Sequence, residues 1–256
     1  MAEPSTRNEP GHECVLCPPL RYRFNHMADL PGEAAVLARD GDFLLMPDVA
    51  PLAEGHLLLV TREHHQCAGE FGEGMWTRAR LWRDRVARLY REAYGSDELL
   101  LFEHGPGSSQ GGGACIDHAH WHFLPGTLGL RGVVEERGRP GAPADHAALR
   151  ACFRTGRSYL LIEEAGSATV HPGDGVRSQF LRWAVMAAGR NGTGHGENGH
   201  GENGHSGSGA GRGGIWRWQE MFGLPESRSR FLRTVQAVRR AMATVPGDGQ
   251  RADSHQ

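Results

Sequence analysis

The stretch CIDHAHWHFLP, Cys115 to Pro125, carries three histidines at alternate positions, His118, His120 and His122. Alternation is the period of a β-strand. It predicts a strand with the three imidazoles on one face and Ala119, Trp121 and Phe123 on the other. Successive imidazoles then stand about 6.6 Å apart, at about 3.3 Å of rise per residue. One ring can touch a reacting phosphorus while its neighbour holds an oxygen or a metal. A polar strand face is the simpler alternative. A lone histidine would favour it; three in strict alternation beside a glycine-rich loop, Gly105 to Gly113, do not.

Working back from this stretch, ELLLFEHG reads as a strand leading into the glycine loop. From Gly74 to Tyr94, Trp76, Ala79, Trp82, Val86, Leu89 and Ala93 recur at steps of three and four, the signature of an amphipathic helix. Gly95 is its expected stop. Six arginines fill much of the rest of that helix. A nucleic-acid surface is one reading of them and a solvated face the commoner one. HLLLVT, His56 to Thr61, has the length and composition of a buried strand. EAAVLARDGDFLLMPDVAP reads as two short strands about the turn Asp40-Gly41-Asp42. Further back, CVLC gives a C-x-x-C at Cys14 and Cys17, which can place two thiolates on one ion but needs two more ligands.

Beyond Pro125 the pattern weakens. RSYLLIEE reads as a strand. GVRSQFLRWAVMAA reads as a helix with Phe180, Trp183, Ala184 and Ala187 on one side, and SRSRFLRTVQAVRRAM as a last helix. Between these helices lies a segment rich in glycine, with His195, His200 and His205 in a short tandem repeat. It has too little apolar surface to bury and is expected to be disordered. Weak metal binding by its histidines is possible chemistry, and a surface insertion is the plainer reading. It accounts for much of the high glycine count of 37.

The 256 residues carry 39% hydrophobic and 23% charged residues, ordinary for a globular chain, and a net charge of −2. No global basic field points to nucleic acid or membrane. No apolar run is long enough to span a bilayer, and the polar, acidic start lacks the features of a signal peptide. A cytoplasmic protein is therefore expected. Five cysteines, an odd number in a chain of this size, argue against a disulfide framework and leave thiols free for metal.

HAHWHFL, His118 to Leu124, resembles the histidine triad family, whose pattern is His-x-His-x-His followed by two apolar residues. LLMPDVAPLAEGHLLLVTREHH resembles the family's strand pair with its ribose-binding acid. FEHG and GGGACIDHAHWH resemble its phosphate-binding approach. The likeness covers roughly Cys14 to Pro125 and extends to the galactose-1-phosphate uridylyltransferases.

This resemblance implies an α+β fold: an antiparallel sheet of the histidine triad type with flanking helices, plus a C-terminal α/β extension. The expected organisation is a disordered N-terminus (1–13), the triad domain (14–130), the extension (131–188 and 215–246) interrupted by the glycine-rich insertion (189–214), and a disordered tail (247–256). It implies that His120 is a nucleophile attacking the α-phosphorus of a nucleotide, that His122 donates to a phosphate oxygen, and that Asp48 accepts hydrogen bonds from the ribose hydroxyls. Without the resemblance, Asp48 reads equally well as a turn residue. Gly112 and Gly113 would bring backbone N–H groups to the phosphates. Cys115 and His104 stand where many relatives have Ser and Asn, which usually touch phosphate, so substrate choice is expected to differ. In relatives that hold zinc, the equivalents of His64 and His118 complete the site. Cys14, Cys17, His64 and His118 are thus the expected ligands of a structural zinc, with His118 also part of the catalytic triad. His at position 122 points to the hydrolase branch, since the uridylyltransferase branch has Gln there. The implied partner is a nucleotide or nucleotidylated small molecule, with transfer to phosphate or a sugar phosphate and a catalytically silent nucleotide-binding module as alternatives. Relatives often form two-fold dimers, so a homodimer is possible.

Overall fold

The strands announced by periodicity before Pro125 are present, although the histidine strand starts at His120 and leaves His118 outside it, and the sheet continues well past that point. The computed structural model describes residues 14–18, 21, 33–107, 116–191 and 224–244. Among them are strands β1 (Ala38–Arg39), β2 (Phe43–Pro47), β3 (Leu57–Thr61), β4 (Leu99–Gly105), β5 (His120–Pro125), β6 (Ala142–Pro143), β7 (Tyr159–Glu164) and β8 (Ser167–Pro172). The helices are α1 (Glu73–Tyr94), α2 (Leu130–Glu136), α3 (His146–Arg154), α4 (Phe180–Asn191) and α5 (Pro225–Thr244). All eight strands form one antiparallel sheet in the order β1-β2-β3-β5-β4-β7-β8-β6. The fold class is α+β, as expected.

The turn between β1 and β2 is set by Asp40, whose carboxylate accepts from the backbone N–H groups of Asp42 and Phe43, each at 2.8 Å. The histidine-bearing β5 lies between β3 and β4, with Leu58 and Phe102 both opposite His122. β4 is then paired on its far side with β7, His104 opposite Leu160. Residues beyond 130 therefore extend the same sheet.

Strand alternation divides the core. Leu57, Leu101, Trp121 and Phe123 face α1, which brings Trp82, Val86, Leu89 and Tyr90. Leu100, Phe102, Leu124 and Ile162 face α2 and α4, which bring Leu130, Val134, Leu181 and Ala184. Burial on both faces is why the strands read as continuous apolar runs. At about 1.5–3 kcal/mol for each fully buried large apolar side chain, these two layers supply the main driving force for folding.

Helix α1 ends as expected at Gly95, whose φ of 79° only glycine adopts without cost and whose N–H bonds the Arg91 carbonyl. Its arginines are spent within the chain. Arg78 pairs with Asp42, Arg80 and Arg83 with Glu163 of β7, and Arg91 with Asp97.

The helix expected from Gly175 starts at Phe180 instead, because Gly175 and Gln179 both have left-handed backbone, φ 70° and 68°. Its buried residues include Leu181, Ala184, Val185 and Ala188, whereas the expected face was Phe180, Trp183, Ala184 and Ala187. Phe180 and Trp183 are only half-buried and stack on each other, and Arg137 lies over the Trp183 ring. Four short elements, α2, β6, α3 and β8, were not anticipated. α5 covers the expected last helix and packs on α1 through Val238 and Ala241. α4 runs to Asn191, into the expected insertion. The rest of that insertion with His195, His200 and His205, residues 1–13 and the tail 247–256 lie outside the described residues. No helix among the described residues is long and apolar enough to cross a membrane.

Candidate active site and metal cluster

The strand β5 begins at His120, so the three histidines do not form one row. His120 and His122 face a cavity while Trp121 and Phe123 enter the core beneath. His118 precedes the strand, and its ring turns to the C-x-x-C. Its Nδ1 lies 3.4 Å from the Sγ atoms of both Cys14 and Cys17, and His64 Nδ1 lies 3.4 Å from Cys17 Sγ. All four donor atoms lie within 4.8 Å of one another. An ion bound tetrahedrally at about 2.3 Å from sulphur and 2.0–2.1 Å from nitrogen separates S and N by about 3.5 Å. The spacing fits such an ion.

Tautomers support the same assignment. His118 Nε2 is 2.8 Å from the Thr61 carbonyl, which can only accept, so Nε2 carries the proton and Nδ1 offers its lone pair to the sulphurs. Burial pushes the His118 pKa down to about 4, which keeps the ring neutral as a ligand must be. Burial, and then the nearby Cys14, push the Cys17 thiol up to about 11. A cation at the centre of the four would reverse that shift.

The cavity encloses about 800 Å³, counting the part open to solvent. Leu16, Met46, Leu58 and Ile116 form apolar wall, and Asp48, His104, His120, His122, Gln179 and Arg182 supply the polar groups. His120 Nδ1 lies 2.5 Å from the backbone carbonyl of His118. The proton is thus on Nδ1 and the free lone pair on Nε2. Burial lowers the pKa of His120, favouring this neutral form.

The neighbouring histidine is fixed through a second ring. The backbone N–H of Leu52 donates to His56 Nδ1 at 3.1 Å, so His56 carries its proton on Nε2. That proton is given to His122 Nδ1 at 2.9 Å, leaving His122 with an Nε2–H donor. His56 is fully buried, and burial pulls its pKa down to about 3, so the relay is uncharged. Phe102 stacks on the His122 ring at 4.5 Å and holds its plane.

Asp48 is 4% exposed. Its carboxylate accepts from the Ala50 N–H at 2.7 Å and from Arg182, which also donates to the Ala50 carbonyl. Burial alone would raise the Asp48 pKa, but the Arg182 charge, with His56 and the Ala50 hydrogen bond, holds it below the usual carboxylate value. His104 sits with Nε2 3.2 Å from Ser158 Oγ, which donates to the Gly105 carbonyl. His104 therefore donates from Nε2 and keeps a lone pair on Nδ1. Burial pulls its pKa down to about 4.

Asp48, His104, His120 and His122 thus share one cavity, and Cys14, Cys17, His64 and His118 share one corner beside it. Gly112, Gly113 and Cys115 lie outside the described residues. Two residues of the site were not anticipated in their roles. His56 was read as the start of a strand and as the histidine of the family's Gly-His step, with no role assigned to it. Arg182 reaches Asp48 from 134 positions away, with no local signal.

No protein-family model and no curated protein sequence matches the chain. Solved structures do. One is a HIT-like protein involved in cell-cycle regulation from Bartonella henselae, at 19% identity over 36% of this chain and 65% of that one, with a TM-score of 0.31. Another is a HIT family hydrolase from Clostridium thermocellum, at 22% identity over 45% and 92%, with a TM-score of 0.32. A third is yeast Ap4A phosphorylase in complex with AMP, at 13% identity over 52% and 56%, with a TM-score of 0.33. Two of these three are described as HIT proteins. The aligned part of the chain spans just under two thirds of the Bartonella protein and about half of the yeast enzyme.

Proposed function

We propose that this chain is a nucleotide hydrolase or nucleotidyltransferase of the histidine triad type, acting at the α-phosphate through a nucleotidyl-His120 intermediate. The carrying observation is the bond of His120 Nδ1 to the His118 carbonyl, which leaves Nε2 as a neutral nucleophile in the cavity. Nε2 bonds to phosphorus, and the bond to the leaving group breaks with its electron pair going to that group. Water then attacks phosphorus, the P–N bond breaks back to Nε2, and a nucleoside monophosphate leaves. Two displacements replace one harder step.

The His122 Nε2–H, fixed by the His56 relay, donates to a non-bridging phosphate oxygen as charge develops there. Asp48 accepts the ribose hydroxyls on the lone pairs that Ala50 and Arg182 leave free. Gly112, Gly113 and Cys115 belong to the phosphate approach in this reading. With Nε2 committed to Ser158, His104 presents an acceptor where relatives present an amide, which supports a leaving group or acceptor bearing a proton.

Cys14, Cys17, His64 and His118 are the residues that would hold zinc. Held by four protein ligands, a zinc there would supply structure, tying the Cys14–Cys17 arm to the entry of β5, with no position left for water.

Mass spectrometry of the protein mixed with a panel of nucleoside phosphoramidates and dinucleoside polyphosphates tests the reading. The expected result is one nucleotidyl group per chain on His120, absent in His120→Ala. Nucleotide binding that survives His120→Ala, with no adduct or turnover in the parent, would make this a binding module instead. Turnover that needs phosphate or a sugar phosphate, rather than water, would make it a transferase. Elemental analysis should find about one zinc per chain, lost in Cys14→Ser/Cys17→Ser; a folded, active, metal-free parent would sink the zinc assignment.

A further inference from the structure

The cavity has one wall that the triad motif does not account for. Gln179, Phe180, Leu181 and Arg182, at the start of α4, line it opposite the histidine strand. Two features of this turn are costly for the fold. Gln179 holds φ at 68°, a conformation that is costly for a residue with a Cβ and that clusters at functional sites. Its side-chain Oε1 is buried with no hydrogen-bond partner among the described residues. A buried acceptor left unpaired beside a cavity is a place for a ligand's donor.

Arg182 explains how the floor of the cavity tolerates a carboxylate. Asp48 lies 3.6 Å from His122 Nδ1, next to where a phosphate anion would sit. The guanidinium neutralises that charge. By bonding both the Asp48 carboxylate and the Ala50 carbonyl, it also pins the turn that carries Asp48. A carboxylate has about four acceptor positions. The Ala50 N–H and Arg182 take two, leaving two for a pair of vicinal hydroxyls.

We propose that the Gln179–Arg182 turn is a sugar-recognition element of the nucleotide site, with Arg182 positioning Asp48 for a ribose cis-diol and Gln179 accepting a donor from the bound nucleoside. This rests on the nucleotidyl-transfer reading above. It adds that the site is built partly from the region beyond residue 130, through Gln179 and Arg182.

The test is steady-state kinetics on matched ribo- and 2′-deoxyribonucleoside 5′-phosphoramidates. The parent should prefer the ribo form by about tenfold or more, one good hydrogen bond to a charged group. Arg182→Gln should shrink that preference to within about threefold, through KM for the ribo form rather than kcat. Arg182→Lys, which keeps the charge but not the two-pronged contact, should be intermediate and covers the case in which Arg182→Gln does not fold. Gln179→Gly should raise Tm by relieving the backbone and yet raise KM for both sugars, a pairing that a purely structural residue does not give. An unchanged ribo preference in both Arg182 variants, or a parent that turns over both sugars equally, would overturn the proposal while leaving nucleotidyl transfer intact. A parent that forms no adduct and turns over neither sugar would overturn both.

Discussion

Asp48 and Glu103 are two carboxylates buried on opposite sides of the same sheet, 4% and 2% exposed. Asp48 lies on the histidine side. Burial pushes its pKa up, but Arg182 more than reverses the shift, so it stays ionised. Glu103 lies on the α1 side and accepts from the Ala68 N–H at 2.9 Å and the Tyr159 hydroxyl at 2.6 Å. Burial pushes its pKa up to about 7, and those neutral donors offset only part of the rise. The contrast teaches what a buried acid needs. Neutral hydrogen bonds satisfy its geometry, but only a cation keeps it charged. The cation lies on the side that carries His120 and His122.

The sharpest way to break this contrast is to remove the cation. Arg182→Met should destabilise the protein by about 3–5 kcal/mol in urea unfolding, the cost of stranding a buried charge, and adding Asp48→Asn should recover much of it. Recovery would locate the cost in the charge; its absence would locate it in packing.

Next is the pH response of Glu103. Its folded pKa is raised from 4.5 to about 7, so the folded state holds the extra proton between those values. Its contribution to stability is fully present below pH 4.5 and is lost as pH rises to about 7, an effect on the order of 3 kcal/mol. Glu103→Gln should abolish that component, visible as the difference between the two stability–pH curves. Parallel curves would mean that Glu103 is ionised in the fold.

A smaller effect tests the neutral donors. Tyr159→Phe should cost about 1–2 kcal/mol and move the Glu103 titration higher still, readable by carbon NMR of the labelled carboxyl. Smallest is Arg80→Ala, about 1 kcal/mol or less, because Arg83 stays bonded to Glu163 at 2.6 Å and the Arg80 side chain is 38% exposed.

The two sides also differ in how far they could be read in advance. β2, β3, β4 and α1 announce themselves by local periodicity, and the His-x-His-x-His alternation locates His120 and His122. The four residues of the metal corner were named through the family resemblance, since a C-x-x-C alone leaves its partners open. β8 was missed because Ser167 to Pro172 lie near the sheet's margin, half-exposed and without a clean alternation. α3 was missed because it is short, although Asp145, whose carboxylate accepts from the Ala148 N–H at 2.8 Å, is a readable N-cap. The early start expected for α4 failed because helical periodicity says nothing about Gln179's left-handed backbone. That Glu103 and Asp48 would be buried acids of opposite character depends on Tyr159 and Arg182, partners distant in sequence.

The separation of Asp48 and Arg182 by 134 positions also has a consequence for how the chain matures. Contacts between distant positions form late, after the chain entropy of bringing them together has been spent. During synthesis β2, β3 and α1 leave the ribosome well before Arg182 exists, and until then Asp48 has no cation to hold it buried. The Asp48 turn on the histidine side of the sheet should therefore order only once residue 182 has emerged, and a chain truncated before residue 182 should leave its histidine-lined cavity open.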